Sequence, residues 1–261
     1  MWTQLRIKDW KHFIDFIEAI EHHKSPLPFW NFRGQANSTW DLLPSISRIF
    51  KDYPVDLKKA LGIELNMYRE FLMSRKLYGS FAPDDITEYK NIAQFMEMQH
   101  YSCPTRVLDW SHSPYVALYF AIDNELKHDG KIYGFHNSNL NQMNKKYFED
   151  LSEDLILENR GEPTVYPLML ARHNERTLSQ QGVFTISNDI FADHYQLISN
   201  ALSKENLKEN AVEMTIPKEL KIEFMARLRN MNINGLTLFP GLDGLGKSLH
   251  KLATIRAATN T

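Results

Sequence analysis

The chain has 261 residues, of which 43% are hydrophobic, 24% charged and 12% aromatic, a composition that fits a folded globular protein and excludes disordered, collagenous and coiled-coil classes. Lysine and arginine total 30 against 32 aspartates and glutamates, a net charge of −2 that gives no global positive field for a polyanion and leaves only a local basic groove. The single cysteine, Cys103, excludes an intramolecular disulfide framework and any multi-cysteine metal site, and it suits a reducing compartment, so a cytoplasmic location is expected.

The opening MWTQLRIKDWKHF has no basic stretch followed by an apolar core. The longest apolar run, Pro114 to Ile122, is about half of the roughly 20 residues a membrane-spanning helix needs, so no export signal and no membrane are expected. Trp10, Phe13, Phe16, Ile17 and Ile20 recur at helical spacing and predict an amphipathic helix over 10–23. Leu27 to Arg33, bounded by Gly34, reads as a strand that delivers Arg33 to its end. Helices are expected over 56–76 and 88–100, the latter stopped by Pro104, and an extended segment over 105–110. Ser113 is a suitable N-cap with Pro114 at the first helical position, and a buried helix should run from there to about Leu126. Strands follow at 131–135, 164–170, 183–187 and 211–216, then a helix over 218–231, a short strand over 236–239 and a last helix after Gly241. With no internal repeat or linker the expectation is α+β in a single domain: an N-terminal amphipathic helix over 1–26, a main body over 27–250 and a tail over 251–261.

Three polar clusters lie among apolar residues and therefore need partners. In Phe32–Arg33–Gly34–Gln35, the guanidinium beside a glycine can grip a phosphate or carboxylate, or pin a loop. The densest cluster is Gln99–His100–Tyr101, Pro104–Thr105–Arg106 and Asp109–Trp110–Ser111–His112–Ser113. In it Arg106 and Asp109 are expected to form an ion pair, and one serine is accounted for by helix capping. The third, Ser179–Gln180–Gln181–Gly182, stands before an apolar strand, with Arg172, His173 and Arg176 just upstream. Its amides can bind a ribose or base edge, or close a turn. The histidines, including His22, His23, His100, His112, His136, His173 and His194, repeat no metal-ligand spacing, so no metal is expected, and Cys103 reads as an inert thiol. GxGxxG, GxSxG and HExxH are missing from the sequence.

The three clusters, in this order, resemble the FRG domain of bacteria and phage. The resemblance rests on Phe32–Arg33–Gly34–Gln35, Leu43–Pro44–Ser45, Gln99–His100–Tyr101, the run from Pro104 to Ser111, and Ser113–Pro114 through Ala121. The later Gln180, Gly182 and Phe184 and the stretch Gly235 to Gly244 are similar too, so the resemblance spans roughly residues 27–250. The layout also resembles ADP-ribosyltransferases of the arginine–serine–glutamate type. Arg33 stands for the arginine, Asp109–Trp110–Ser111 for the serine triplet, Ala117 and Phe120 for the downstream pair, and Gln180 or Gln181 for the glutamate.

The resemblance implies an ADP-ribosyltransferase-like fold with a mostly antiparallel sheet, and NAD as substrate. Arg33, His100, Ser111 and Gln180 would be catalytic, while Gln35, Tyr101, Arg106, Asp109, Trp110, Ser113 and Gln181, with Arg33, would bind the cofactor. It implies an NAD-consuming toxin of conflict between bacteria and phage, acting on a protein or nucleic-acid acceptor and partnered by an antitoxin or phage protein. Glutamine in the glutamate's place supplies neither a proton acceptor nor a negative charge, so Asp109 or His100 would have to act as base. The competing reading is a transferase-like domain without chemistry that binds a nucleotide or macromolecule as a sensor or antagonist.

Overall fold

The computed structural model describes residues 2–24, 30–78, 90–123, 125–136, 158–168, 175–204 and 210–259. The fold is α+β, built on one sheet. Its strands are β1 (Thr3–Arg6), β2 (Trp30–Gln35), β3 (Val107–Ser111), β4 (Gly130–His136), β5 (Val165–Leu168), β6 (Gly182–Ser187) and β7 (Ala211–Ile216). Their order across the sheet is β1-β7-β4-β2-β3-β6-β5, antiparallel throughout except for the β1–β7 edge. The helices are α1 (Trp10–Lys24), α2 (Ser45–Asp52), α3 (Leu57–Arg75), α4 (Lys90–His100), α5 (Pro114–Ile122), α6 (Glu175–Ser179), α7 (His194–Lys204), α8 (Lys221–Asn230), α9 (Gly235–Leu238) and α10 (Leu242–Thr259). Among the described residues no helix is long and apolar enough to cross a membrane.

Strand alternation sorts β2 between two cores. Trp30 and Phe32, stacked with ring centroids 5.9 Å apart, join Phe13 and Ile17 of α1, Leu118 of α5 and Phe224 of α8 in the main core. Asn31, Arg33 and Gln35 alternate with them, and Arg33 pairs in register with Tyr133, which belongs to the opposite core with Trp110, Phe135 and Ile198 of α7. Helix α5 is apolar all round, as a helix buried on every side must be. It lies so close to the sheet that a Cβ on Gly34 would stand 1.8 Å from the Ala117 carbonyl oxygen, and one on Gly130 2.0 Å from that of Ala121. Glycine at these two positions lets the helix pack down on the sheet.

Several elements differ from the expectations of the sequence. The strand expected over 236–239 is helix α9, because Asn234 accepts from the Leu236 amide while Thr237 Oγ1 accepts from the Asn234 amide, a capping box that turns the chain. The helix capped by Ser113 stops at Ile122, where Asp123 is already extended, short of the expected Leu126. The helix expected over 218–231 opens with a 3-10 turn at Lys218–Leu220. Strand β2 starts at Trp30 and continues past Arg33 to Gln35, with 27–29 outside the described residues. Residues 88–89, at the start of the helix expected over 88–100, and 169–170, at the end of the strand expected over 164–170, also lie outside them. Helices α2, α6 and α7 and strand β1 were not among the expected elements. Helix α10 runs through the segment read as a tail, and Lys251 and Ile255 within it are buried.

Candidate functional site

The sheet is not evenly zipped. Strand β2 pairs with β4 along its whole length, from Trp30↔His136 to Gln35↔Lys131, and β3 pairs with β6 from Val107↔Ile186 to Ser111↔Gly182. Between β2 and β3 the register holds one pair, Phe32↔Ser111. Beyond that pair the strands part, and Arg33 bridges the gap by donating from Nη1 to the Asp109 carbonyl oxygen at 2.6 Å. A side chain thus takes the place of a ladder hydrogen bond at the centre of the sheet.

The opening is a cleft of about 160 Å³. Arg33 and Gly34 line one side, Asp109, Trp110 and Ser111 the other, with Val116, Ala117 and Phe120 of α5 against them and Arg176 and Gln180 closing the end. Burial pushes the Arg33 guanidinium below the usual arginine range, countered by the Asp109 charge. Behind it, Trp110 Nε1 donates to Thr185 Oγ1 at 2.8 Å, and Thr185 Oγ1 lies 2.9 Å from His194 Nδ1. The direction of the Thr185–His194 hydrogen bond is set by the imidazole tautomer. Burial and the nearby Arg33 hold His194 down to about 3, so it is neutral. The Arg33 Nε atom is buried and has no hydrogen-bond partner among the described residues.

Asp109 supplies the cleft's carboxylate. Its Oδ2 accepts from Gln99 Nε2 at 2.7 Å, and Gln99 Oε1 in turn accepts from Thr105 Oγ1 at 2.7 Å, so its position is set from α4. The Asp109 charge favours the protonated forms of Arg33, Arg176 and His100 against desolvation. Ser111 Oγ donates to the Gln180 carbonyl oxygen at 2.7 Å and accepts from the Ser113 amide at 2.9 Å. Its proton is spent on joining β3 to the α6–β6 turn. Gln180 Nε2 donates to the Leu238 carbonyl oxygen at 2.9 Å, which fixes the amide plane and leaves Oε1 to accept from a ligand.

The cleft therefore gathers Arg33, Asp109, Trp110, Ser111 and Gln180 of the residues singled out in the sequence, together with Ala117 and Phe120. His100 stands one layer back: its Nε2 is 2.9 Å from Thr177 Oγ1, its carbonyl oxygen accepts from Arg176, and burial, its largest influence, pushes its imidazole below the usual range. Gln35, Tyr101, Arg106, Ser113 and Gln181 do not line the cleft. Gln35 donates to the Asp41 carbonyl oxygen, Tyr101 is 59% exposed, Ser113 caps α5 through the Val116 amide, and Gln181 occupies a positive-φ turn at 46° while its carbonyl accepts from His112.

The expected Arg106–Asp109 ion pair does not form. Residues three apart on an extended chain point to opposite sides, so Arg106 turns away from Asp109 and is bound through both Nε and Nη2 by Glu64 of α3, fully buried. Arg176 is the cleft residue the sequence marked only as a neighbour. No pattern in the charged connection before β6 signals its role, because only α6 folding back beside α9 brings it in. Arg172 and His173 lie outside the described residues. Cys103 is half-buried and burial pushes its thiol up, in keeping with an inert residue. Among the described residues no group of histidine, cysteine or carboxylate side chains could hold a metal.

The family model of the FRG domain matches residues 28–130, a span that contains Arg33, Asp109, Ser111 and α5 and stops before Arg176 and Gln180. No curated protein and no solved structure matches the chain significantly.

Proposed function

We propose that the cleft between β2 and β3 binds NAD and that the protein is an ADP-ribosyltransferase, acting as an NAD-consuming effector in conflict between bacteria and phage as the FRG resemblance implies. The observation that supports this most is the parted sheet with a buried arginine inside it, without an ion pair among the described residues, beside one carboxylate and one fixed amide. Cleavage of the bond between nicotinamide and ribose C1′ develops positive charge on the sugar, and the nicotinamide leaves with the bonding electron pair as a neutral base. Arg33 would neutralise a phosphate, the Gln180 Oε1 would accept from a ribose hydroxyl, and Asp109 would stabilise the sugar cation. The acceptor then attacks C1′ and gives its proton to Asp109, the one carboxylate lining the cleft among the described residues. The cleft holds one ring or phosphate, so the rest of the dinucleotide would lie along its open rim.

A second reading is favoured by a specific observation. The Ser111 proton and the Gln180 amide nitrogen are committed to internal hydrogen bonds, as in a site that binds without turning over. Purified protein incubated with NAD labelled on the adenylate side, with and without lysate protein or RNA, separates the two. Nicotinamide release that is lost in Arg33→Met and reduced about 100-fold or more in Asp109→Asn, with NAD affinity kept in the latter, supports the transferase. NAD binding without release supports the sensor, and no binding of NAD overturns the transferase and an NAD sensor alike.

A further inference from the structure

Arg176 rides on the five-residue helix α6 and closes the end of the cleft that Arg33 lines. Its Nη1 donates to the His100 carbonyl oxygen at 2.5 Å, and its guanidinium carbon stands 4.8 Å from the centroid of the Phe239 ring. Its Nε is buried with no hydrogen-bond partner among the described residues, which is also the state of Arg33 Nε. Among the described residues neither arginine makes an ion pair. Lys247 of α10 places its ammonium 3.8 Å from the same Phe239 ring and is likewise without an ion pair there. Against the two arginines the cleft offers one carboxylate, Asp109, one oxygen of which accepts from Gln99. A buried N–H without an acceptor is costly to leave unmade, so each guanidinium is poised for an oxygen from outside the chain.

Resting on the nucleotide reading above, we infer that Arg176 is a second anion-binding residue of this cleft, and that Arg33 and Arg176 together grip two adjacent phosphates, so that the site selects a nucleoside diphosphate moiety over a monophosphate. Arg33 holds the buried phosphate. Arg176, fixed by the His100 carbonyl and the Phe239 face, holds the outer one, with Lys247 adding positive potential at the rim.

The test is calorimetric titration of the full chain with ADP, AMP and adenosine, before and after Arg176→Gln, with thermal unfolding to confirm that the variant folds. Wild type should bind ADP at least tenfold more tightly than AMP. In Arg176→Gln, ADP affinity should fall by about 10- to 100-fold while AMP affinity stays within about threefold. Arg176→Lys, which keeps the charge and loses the planar fork, should give an intermediate loss and serves if the glutamine variant does not fold. An undiminished ADP preference in the folded variants overturns the role of Arg176 and leaves the nucleotide site standing. A wild-type protein that binds neither ADP nor AMP overturns the nucleotide reading itself.

Discussion

Two arginines carried by neighbouring strands or their entry are treated in opposite ways. Arg106, entering β3, is fully buried, bound through two nitrogens by Glu64, and donates its third to the Asn188 carbonyl oxygen. Arg33, on the neighbouring strand, donates to a single main-chain carbonyl and keeps a buried Nε without a partner among the described residues. The first is complete within the chain. The second is not completed by the described residues. A buried charge is tolerable when paired and hydrogen-bonded, and is otherwise a stored cost that a ligand can relieve. The difference separates an arginine that holds the fold from one that the fold holds ready.

The largest effect should come from breaking the complete pair. Glu64→Ala leaves the Arg106 charge buried and should destabilise the protein by about 3–5 kcal/mol, seen as a fall in melting temperature of about 10 °C. Replacing both partners by apolar residues of similar size, Glu64→Leu with Arg106→Met, should recover most of that loss in the same measurement. A double variant as unstable as Glu64→Ala would show that the pair does more than fill its site.

Arg33→Met should behave in the reverse sense. Its stability in denaturant titration should stay within about 1 kcal/mol of wild type, since a desolvated cation is removed along with one hydrogen bond to the Asp109 carbonyl, while nucleotide binding is lost. A loss of several kcal/mol would place Arg33 with Arg106 as a structural residue and remove the premise of the site.

A further effect appears only in acid. His194 titrates near 3 in the folded protein against its usual 6.5, so as pH falls the unfolded chain takes up the proton first. The stability contributed by neutral His194 is therefore complete above about 6.5 and drains away as pH falls towards 3. The lowered imidazole of His100 acts in the same direction. Because Arg33 contributes to the depression of His194, Arg33→Met should begin acid unfolding at a lower pH than wild type. His194→Gln should differ most from wild type near neutral pH, with the gap closing in acid. A gap independent of pH would mean that His194 is not the group being titrated.

Much of this could be read from the residues in order. Helical spacing located α1, α3 and α4, Ser113–Pro114 placed the start of α5, and alternating apolar runs located β3, β4, β6 and β7, because these signals are local. The signal failed where local patterns compete. Leu236 and Leu238 alternate like a strand, yet the Asn234–Thr237 cap folds them into α9. The polar clusters were visible because apolar neighbours made them conspicuous, and Arg33, Asp109 and Gln180 do converge. Their partners were not visible. Arg106 finds Glu64 at a separation of 42 residues and Gln180 finds Leu238 at 58, distances over which spacing carries no information.

The sequence by itself determined the α+β class, the identity of the strand that carries Arg33 and the apolar helix that packs on it, since each follows from periodicity, capping and glycine within a few residues. Only the tertiary structure decided which charges are satisfied. The parting of β2 from β3, the turning of Arg106 towards α3 and the approach of Arg176 from α6 depend on how distant strands register and how closely α5 can pack over Gly34, and those are properties of the assembled sheet.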